Sequence, residues 1–125
     1  MAGKPKIYLL DVTNRDGVQT SRICLSKLQK TMINWYLDQM GVFQSEFGFP
    51  LTRHETNYLN ANLELVKLKA FSGIRLSGWL RATKEDVKAA FKLVPHLKYL
   101  NLSISTSDQM IIHKFKGKLD HQSVI

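Results

Sequence analysis

A single cysteine, Cys24, is all the thiol chemistry this chain of 125 residues carries. No internal disulfide can form, so a reducing, cytoplasmic setting is expected, with Cys24 a small packed residue and not a nucleophile. No apolar run approaches the roughly 18 residues of a membrane span. The opening stretch MAGKPKIYLLDVTNRDG reaches Asp11 after a short apolar run, so a secretory leader is not expected there. The chain has no Walker loop, no G-x-G-x-x-G, no C-x-x-C and no H-E-x-x-H, which disfavours nucleotide binding by the common loops. Acidic residues are also scarce: 10 against 18 lysines and arginines, for a net charge of +8. That excess invites a nucleic-acid reading. The lysines, however, are spread along expected helix faces, and only HKFKGK at 113–118 is a cluster. Without a helix-turn-helix or RNA-binding signature, neither nucleic acid nor a membrane is expected as a partner.

What is present suits one folded domain: 44% hydrophobic and 22% charged residues. Apolar runs with β character recur at 7–10, 42–47, 74–76 and 99–104. Between them lie stretches of helical period. Leu25, Leu28, Met32, Tyr36 and Met40 predict a helix with one buried stripe. Tyr58, Leu59, Leu63 and Val66 predict a second, and Val87, Phe91 and Val94 a shorter third. The starts agree: SKLQ, TRHE and TKED each put a hydroxyl three residues before an acid or amide, the spacing of a reciprocal N-terminal cap. Ser21 is the alternative to Ser26 as the first boundary. Gly41 suits a left-handed C-cap. Strand and helix therefore alternate, and a fourth helix begins after Ser107, with LDHQSVI ending where it would still be running. Such alternation means right-handed βαβ units and a parallel sheet. Two architectures accept it: a small doubly wound sheet, or half of an eight-stranded barrel of about 250 residues.

Every expected strand ends in polar residues. Asp11, Thr13, Asn14, Arg15, Asp16 and Gln19 follow the first; Glu46 sits in QSEFGFP; SGWLRA carries Trp79 and Arg81; NLSISTSD carries Ser103, Ser105, Thr106 and Ser107. In both architectures ligands bind at this edge of the sheet. Plainer readings stand beside the functional one. Asp16-Gly17 suits an ordinary turn, Arg81 an ion pair with Glu46 or Asp86, Ser107 a helix cap, and His54 a solvated or packed helix position. His113 fits a surface helix residue and a substrate contact equally. Glu46 is harder to explain away, since an unpaired buried carboxylate costs several kcal/mol, on the order of a lost charge-solvating shell.

Four motifs then give a resemblance. DVTNRDGVQTSR resembles the D-T-T-L-R-D-G-x-Q signature of the homocitrate synthase, isopropylmalate synthase and hydroxymethylglutaryl-CoA lyase superfamily. SEFGFP resembles its I-E-x-G-F-P motif, GWLRA the W-x-R pattern of bacterial homocitrate synthases, and SDQMIIHKFKGK the S-D-x-Q-x-x-H-K-L-x-K segment. The resemblance implies an α/β fold, an incomplete TIM (β/α)8 barrel of about the first four βα units, with residues 1–125 as the N-terminal half of a catalytic domain, truncated or split. It implies an acyltransferase joining acetyl-CoA to a 2-oxo acid by Claisen condensation, homocitrate synthase-like, with a Re-type citrate synthase using oxaloacetate as the runner-up within the class. A catalytically inert assembly subunit is the alternative from another class.

By the same resemblance Asp16 is a ligand to a divalent metal (Mg, Mn or Zn), and Arg15 faces the developing alkoxide. Gln19 lies near the acyl group, and Glu46 is a pocket glutamate that selects substrate or shares in proton transfer. Arg81, Ser105, Thr106 and His113 are the expected substrate contacts. Gly17 is expected to let the backbone turn sharply without a Cβ clash. The chain departs from the pattern at Val12, Asn14 and Met110, Asn14 standing where leucine is usual. The family's H-x-H ligand pair has no counterpart, since the four histidines are His54, His96, His113 and His121. A second polypeptide supplying the other half, and self-association, are the corresponding partner expectations.

Overall fold

The computed structural model describes residues 3–116, 118 and 120–124. Four parallel strands run in the order β1 (Leu10–Asp11), β2 (Gln44–Gly48), β3 (Arg75–Arg81) and β4 (Tyr99–Ser103), each beside its sequence neighbour. Helices α1 (Lys27–Gln39), α2 (Arg53–Lys67) and α3 (Lys84–Leu93) make the crossovers; α4 (Asp108–Lys114) and a short α5 (His121–Val124) follow β4. This is the sequential parallel order of a barrel wall, with no reversal of strand order where a doubly wound sheet would place its site. Strand β1 is only two residues long and begins where the expected one ended. Strand β3 extends to Arg81, well past the expected run.

Local chemistry explains the helix ends. Ser26 and Gln29 form the reciprocal cap of α1, each side chain bonded to the other's main-chain N–H, at 3.2 and 2.8 Å. Gly41, at φ +74°, closes that helix in the left-handed region. Thr83 and Ser107 accept from Asp86 and Met110 main-chain N–H groups, at 3.2 and 3.4 Å. The expected box at Thr52–Glu55 does not form: Thr52 makes no capping bond, because Glu55 is drawn instead to Lys30 Nζ at 2.9 Å. Gly48 makes room for that pair, since a Cβ there would stand 2.5 Å from Glu55 Oε2.

The core lies between the sheet and α2 and α3, where Phe47, Tyr58, Leu59, Leu63, Leu76 and Val94 pack together. Tyr58, Leu59 and Leu63 are buried as expected, while Val66 and Phe91 are exposed. Helix α1 overturns its expectation. The period is right and the face is wrong: Leu28 is 71% exposed and Met40 76%, with Met32 and Tyr36 also out, while Lys30, Asn34 and Asp38 point inward. Cys24 likewise is exposed, not packed.

Burying a polar face is costly unless its groups are bonded. Here Asn34 Oδ1 accepts from Asn14 Nδ2 (2.8 Å) and Ser45 Oγ (3.1 Å), and its Nδ2 donates to Tyr58 Oη (2.8 Å) and Asn62 Oδ1 (3.1 Å). All four of its bonding positions are filled. One turn on, Asp38 accepts main-chain N–H bonds from Ser72, Gly73 and Ile74 at 2.5–2.9 Å. Burial raises the Asp38 carboxyl, but these donors outweigh it and hold the group below its ordinary value.

Candidate active site

Side chains alternate across a strand, so Gln44, Glu46, Ser77, Trp79 and Asn101 share the face of the sheet turned away from the helices. A barrel interior is usually filled by branched apolar residues. This one is a hydrogen-bonded polar layer instead. At its upper edge the loop after β1 bends back through main-chain bonds from Arg15, Asp16 and Gly17 to the Val12 carbonyl at 2.8–3.2 Å. Asp11 secures the bend, accepting from Thr13 N and Oγ1 at 2.9 Å. A short 3-10 turn, Gly17–Gln19, follows. Gly17 does not have the role expected of it: its φ is not positive, and an added Cβ would meet only ordinary contacts with Thr13.

That loop delivers Arg15 to the centre of the face. Its Nε donates to Glu46 Oε2 at 2.6 Å and its Nη1 to Asp16 Oδ1 at 2.9 Å. The guanidinium carbon lies 4.5 Å from the centroid of the Trp79 ring, which in turn packs on Phe49. Glu46 is 3% exposed and takes a second bond, from Asn101 Nδ2 to Oε1 at 2.8 Å. Three sides of the guanidinium are thus fixed by charge and stacking. Among the described residues two of its five N–H groups are engaged, which leaves an oriented donor edge. Such an edge, already in place before reaction, suits a carboxylate or a developing oxyanion.

Asn14, whose role the sequence does not reveal, anchors the loop from behind. It is fully buried and donates to Lys30 O and Asn34 Oδ1, both at 2.8 Å. Its Oδ1 is the buried side-chain atom without a partner among the described residues. No signal in one sequence marks Asn14, Asn34 and Asn101 as a set, because they come from three segments. A polar residue within an apolar strand, as at Asn101, was the one available hint.

The other expected site residues are less tightly gathered. Gln19 is exposed and lines, with Arg15, Lys30 and Phe49, a cavity of about 240 Å³ beside the loop. Arg81 takes its plainer reading as an ion-pair partner. Its Nε and Nη2 grip Asp86 at 2.7 and 2.8 Å, bonds that hold the carboxyl below its usual value and raise the guanidinium. Ser105 accepts from Lys114 Nζ at 3.1 Å, and Thr106 and His113 are exposed. Asp16 is 60% exposed at its side chain, and its carboxylate, in the loop after β1, fits one position around a hard or borderline cation. No group of three His, Cys, Asp or Glu residues that would complete such a site occurs among the described residues. No helix among them is long and apolar enough to cross a membrane.

The HMGL-like family profile matches residues 6–124. The chain belongs to the HMGL-like family. Its fold is accordingly that of a TIM-barrel family, seen here as a partial barrel of four βα units. Among curated relatives it is 60% identical over 120 residues to the "Citrate (Re)-synthase" of Dehalococcoides mccartyi (strain CBDB1), covering 96% of this chain and 29% of that protein. It is 33% identical over 110 residues to "2-isopropylmalate synthase 2" of Caldanaerobacter subterraneus subsp. tengcongensis, covering 88% and 27%. To "Homocitrate synthase AksA" of Methanocaldococcus jannaschii it is 32% identical over 114 residues, covering 90% and 26%. The chain thus spans under a third of the length of these HMGL-like relatives.

Proposed function

We propose that this HMGL-like chain is the N-terminal part of an acyltransferase that condenses acetyl-CoA with a 2-oxo acid, and that the acid is oxaloacetate, as in a Re-type citrate synthase. The observation that carries the activity is the Arg15 guanidinium, fixed between Glu46, Asp16 and Trp79 at the C-terminal edge of the strands. Identity favours the oxaloacetate reading over a homocitrate synthase, 60% against 32%. A cytoplasmic setting follows from the same reading, since the substrates are central metabolites.

Arg15 orients the acid and stabilises the negative charge that grows on its ketone oxygen as the bond forms. Glu46 holds Arg15 in plane and keeps its charge balanced. Asp16 would supply one oxygen to a divalent metal, whose contribution when bound would be Lewis-acid chemistry at the ketone. Gln19, at the mouth of the loop, is placed for the thioester end of acetyl-CoA, with Ser105, Thr106 and His113 on the β4 side. The remaining metal ligands and the proton-abstracting base belong to polypeptide outside these residues, supplied in the same chain or by a second one. Strands β1 and β4 then pair with that remainder, and alone they favour self-association.

Release of CoA thiol is the assay. The completed enzyme should turn over acetyl-CoA with oxaloacetate at least tenfold faster than with 2-oxoglutarate, a ratio well within one set of pocket contacts. Faster turnover of 2-oxoglutarate would return the chain to the homocitrate synthases, and no turnover of either would favour a non-catalytic subunit.

A further inference from the structure

A main-chain carbonyl only accepts, and one such carbonyl gives the sense of the amide hydrogen bonds that lead to Glu46 through Asn101. Ser77 donates its hydroxyl to the Ser45 carbonyl at 3.2 Å. Its oxygen is thereby left to accept, and it receives the amide nitrogens of Gln44 at 3.0 Å and Asn101 at 3.2 Å. Gln44 Nε2 also donates to Asn101 Oδ1 at 3.0 Å. Both ends of the Asn101 amide are therefore assigned by their partners. Turned over, it would set its oxygen against the Ser77 oxygen and its NH₂ against that of Gln44. The surviving orientation sends Nδ2 to Glu46 Oε1 at 2.8 Å, opposite the oxygen that holds Arg15 Nε at 2.6 Å.

A carboxylate with one partner rotates easily about its last torsion, which is broad. With donors on both oxygens its plane is set. The Arg15 Nε–H lies in the guanidinium plane, so the plane of Glu46 sets the direction of the remaining N–H groups. We infer that Asn101, its amide fixed by Gln44 and Ser77, is a positioning residue that holds Glu46 so that Arg15 presents its open edge to substrate. The substrate half of that statement rests on the 2-oxo acid reading above; the orientation half does not.

Two readouts on the intact protein separate these halves. The first is solvent exchange of the Arg15 Nε–H proton, followed by nitrogen-edited NMR. Asn101→Leu, which keeps the number and branching of side-chain heavy atoms and removes the donor, should speed this exchange roughly tenfold, the effect of losing one charge-assisted bond in a relay. Ser77→Ala, a smaller change that retains the fold if Asn101→Leu does not, should give a lesser increase of about twofold to fivefold on the same grounds. Exchange unchanged in both variants would overturn the proposal, whatever the activity. The second readout is steady-state kinetics with acetyl-CoA and oxaloacetate. Here Asn101→Leu should lower kcat about tenfold and leave KM for acetyl-CoA within about twofold, since only the oriented donor is lost. Faster exchange with undiminished kcat would overturn the link between this network and the reaction. If the unsubstituted protein turns over no 2-oxo acid, the functional reading fails, and the exchange measurement still decides the role of Asn101.

Discussion

Arg15 and Glu46, 31 positions apart in sequence, are joined by a 2.6 Å bond from Nε to Oε2 that ties the loop after β1 to the second strand. The pair places a buried negative charge behind a partly exposed positive one. Its strength is best measured by removing the buried member. Glu46→Leu should lower stability by about 2–4 kcal/mol, since Arg15 and Asn101 lose their partner in a low-dielectric setting. Chemical denaturation checks this, and a variant as stable as the parent would show that the pair is incidental.

The polar contact of α1 gives a second expectation. Asn34→Leu keeps the branching of the side chain and removes all four bonds, so Asn14, Ser45, Tyr58 and Asn62 each lose a partner. A loss of about 2–4 kcal/mol follows from buried groups left unsatisfied. Asn14→Leu, which removes one member and an atom already lacking a partner, should cost less. The reverse order would contradict a network centred on Asn34.

Asp38 carries a pH dependence whose sign is set by its lowered folded-state pKa. In the unfolded chain the group titrates near 3.8, so its contribution is full above that value and is lost as pH falls through the lower folded value. Thermal unfolding from pH 7 to pH 2 should show this acid loss, and Asp38→Asn should flatten it while lowering stability at neutral pH. An unchanged acid limb in Asp38→Asn would assign the sensitivity elsewhere.

Leu28, Met32 and Tyr36 on α1 and Met40 at its C-cap form an exposed stripe, and Leu102 on β4 and Ile104 just after it are exposed. The chain by itself should therefore sediment as a dimer or larger species. Leu28→Glu with Met32→Glu should reduce that association, and a monodisperse monomer of the unsubstituted chain would remove its basis.

The order of elements, the parallel sheet and the cap at Ser26 were legible because they depend on short-range period and spacing. The inward face of α1 was not. Amphipathic reading assumes that the apolar stripe faces the core, whereas here Asn34 is bonded on every side by residues from β2, α2 and the β1 loop. Thr52 and Glu55 show the same limit: the spacing of a capping box is local, but Lys30 competes for Glu55 from another helix. The sequence motifs single out Arg15, Asp16 and Glu46, which the structure brings into contact, and the spacing of Arg81 and Asp86 allows the ion pair that forms. Asn14, Asn101 and the Trp79 shelf became readable only when the strands aligned them.

The most direct test sets Asp16→Asn beside Arg15→Lys in the completed barrel, with metal affinity and turnover measured on each. Asp16→Asn keeps shape but removes the charge proposed to hold the metal, so metal affinity and turnover should fall together. Arg15→Lys keeps charge but loses the planar fork that bonds Glu46 and Asp16 and stacks on Trp79. Metal affinity should then stay near normal while kcat drops roughly 100-fold or more, about 3 kcal/mol for one transition-state donor. Lost metal affinity in Arg15→Lys with undiminished kcat per bound metal would contradict the roles assigned to the two residues.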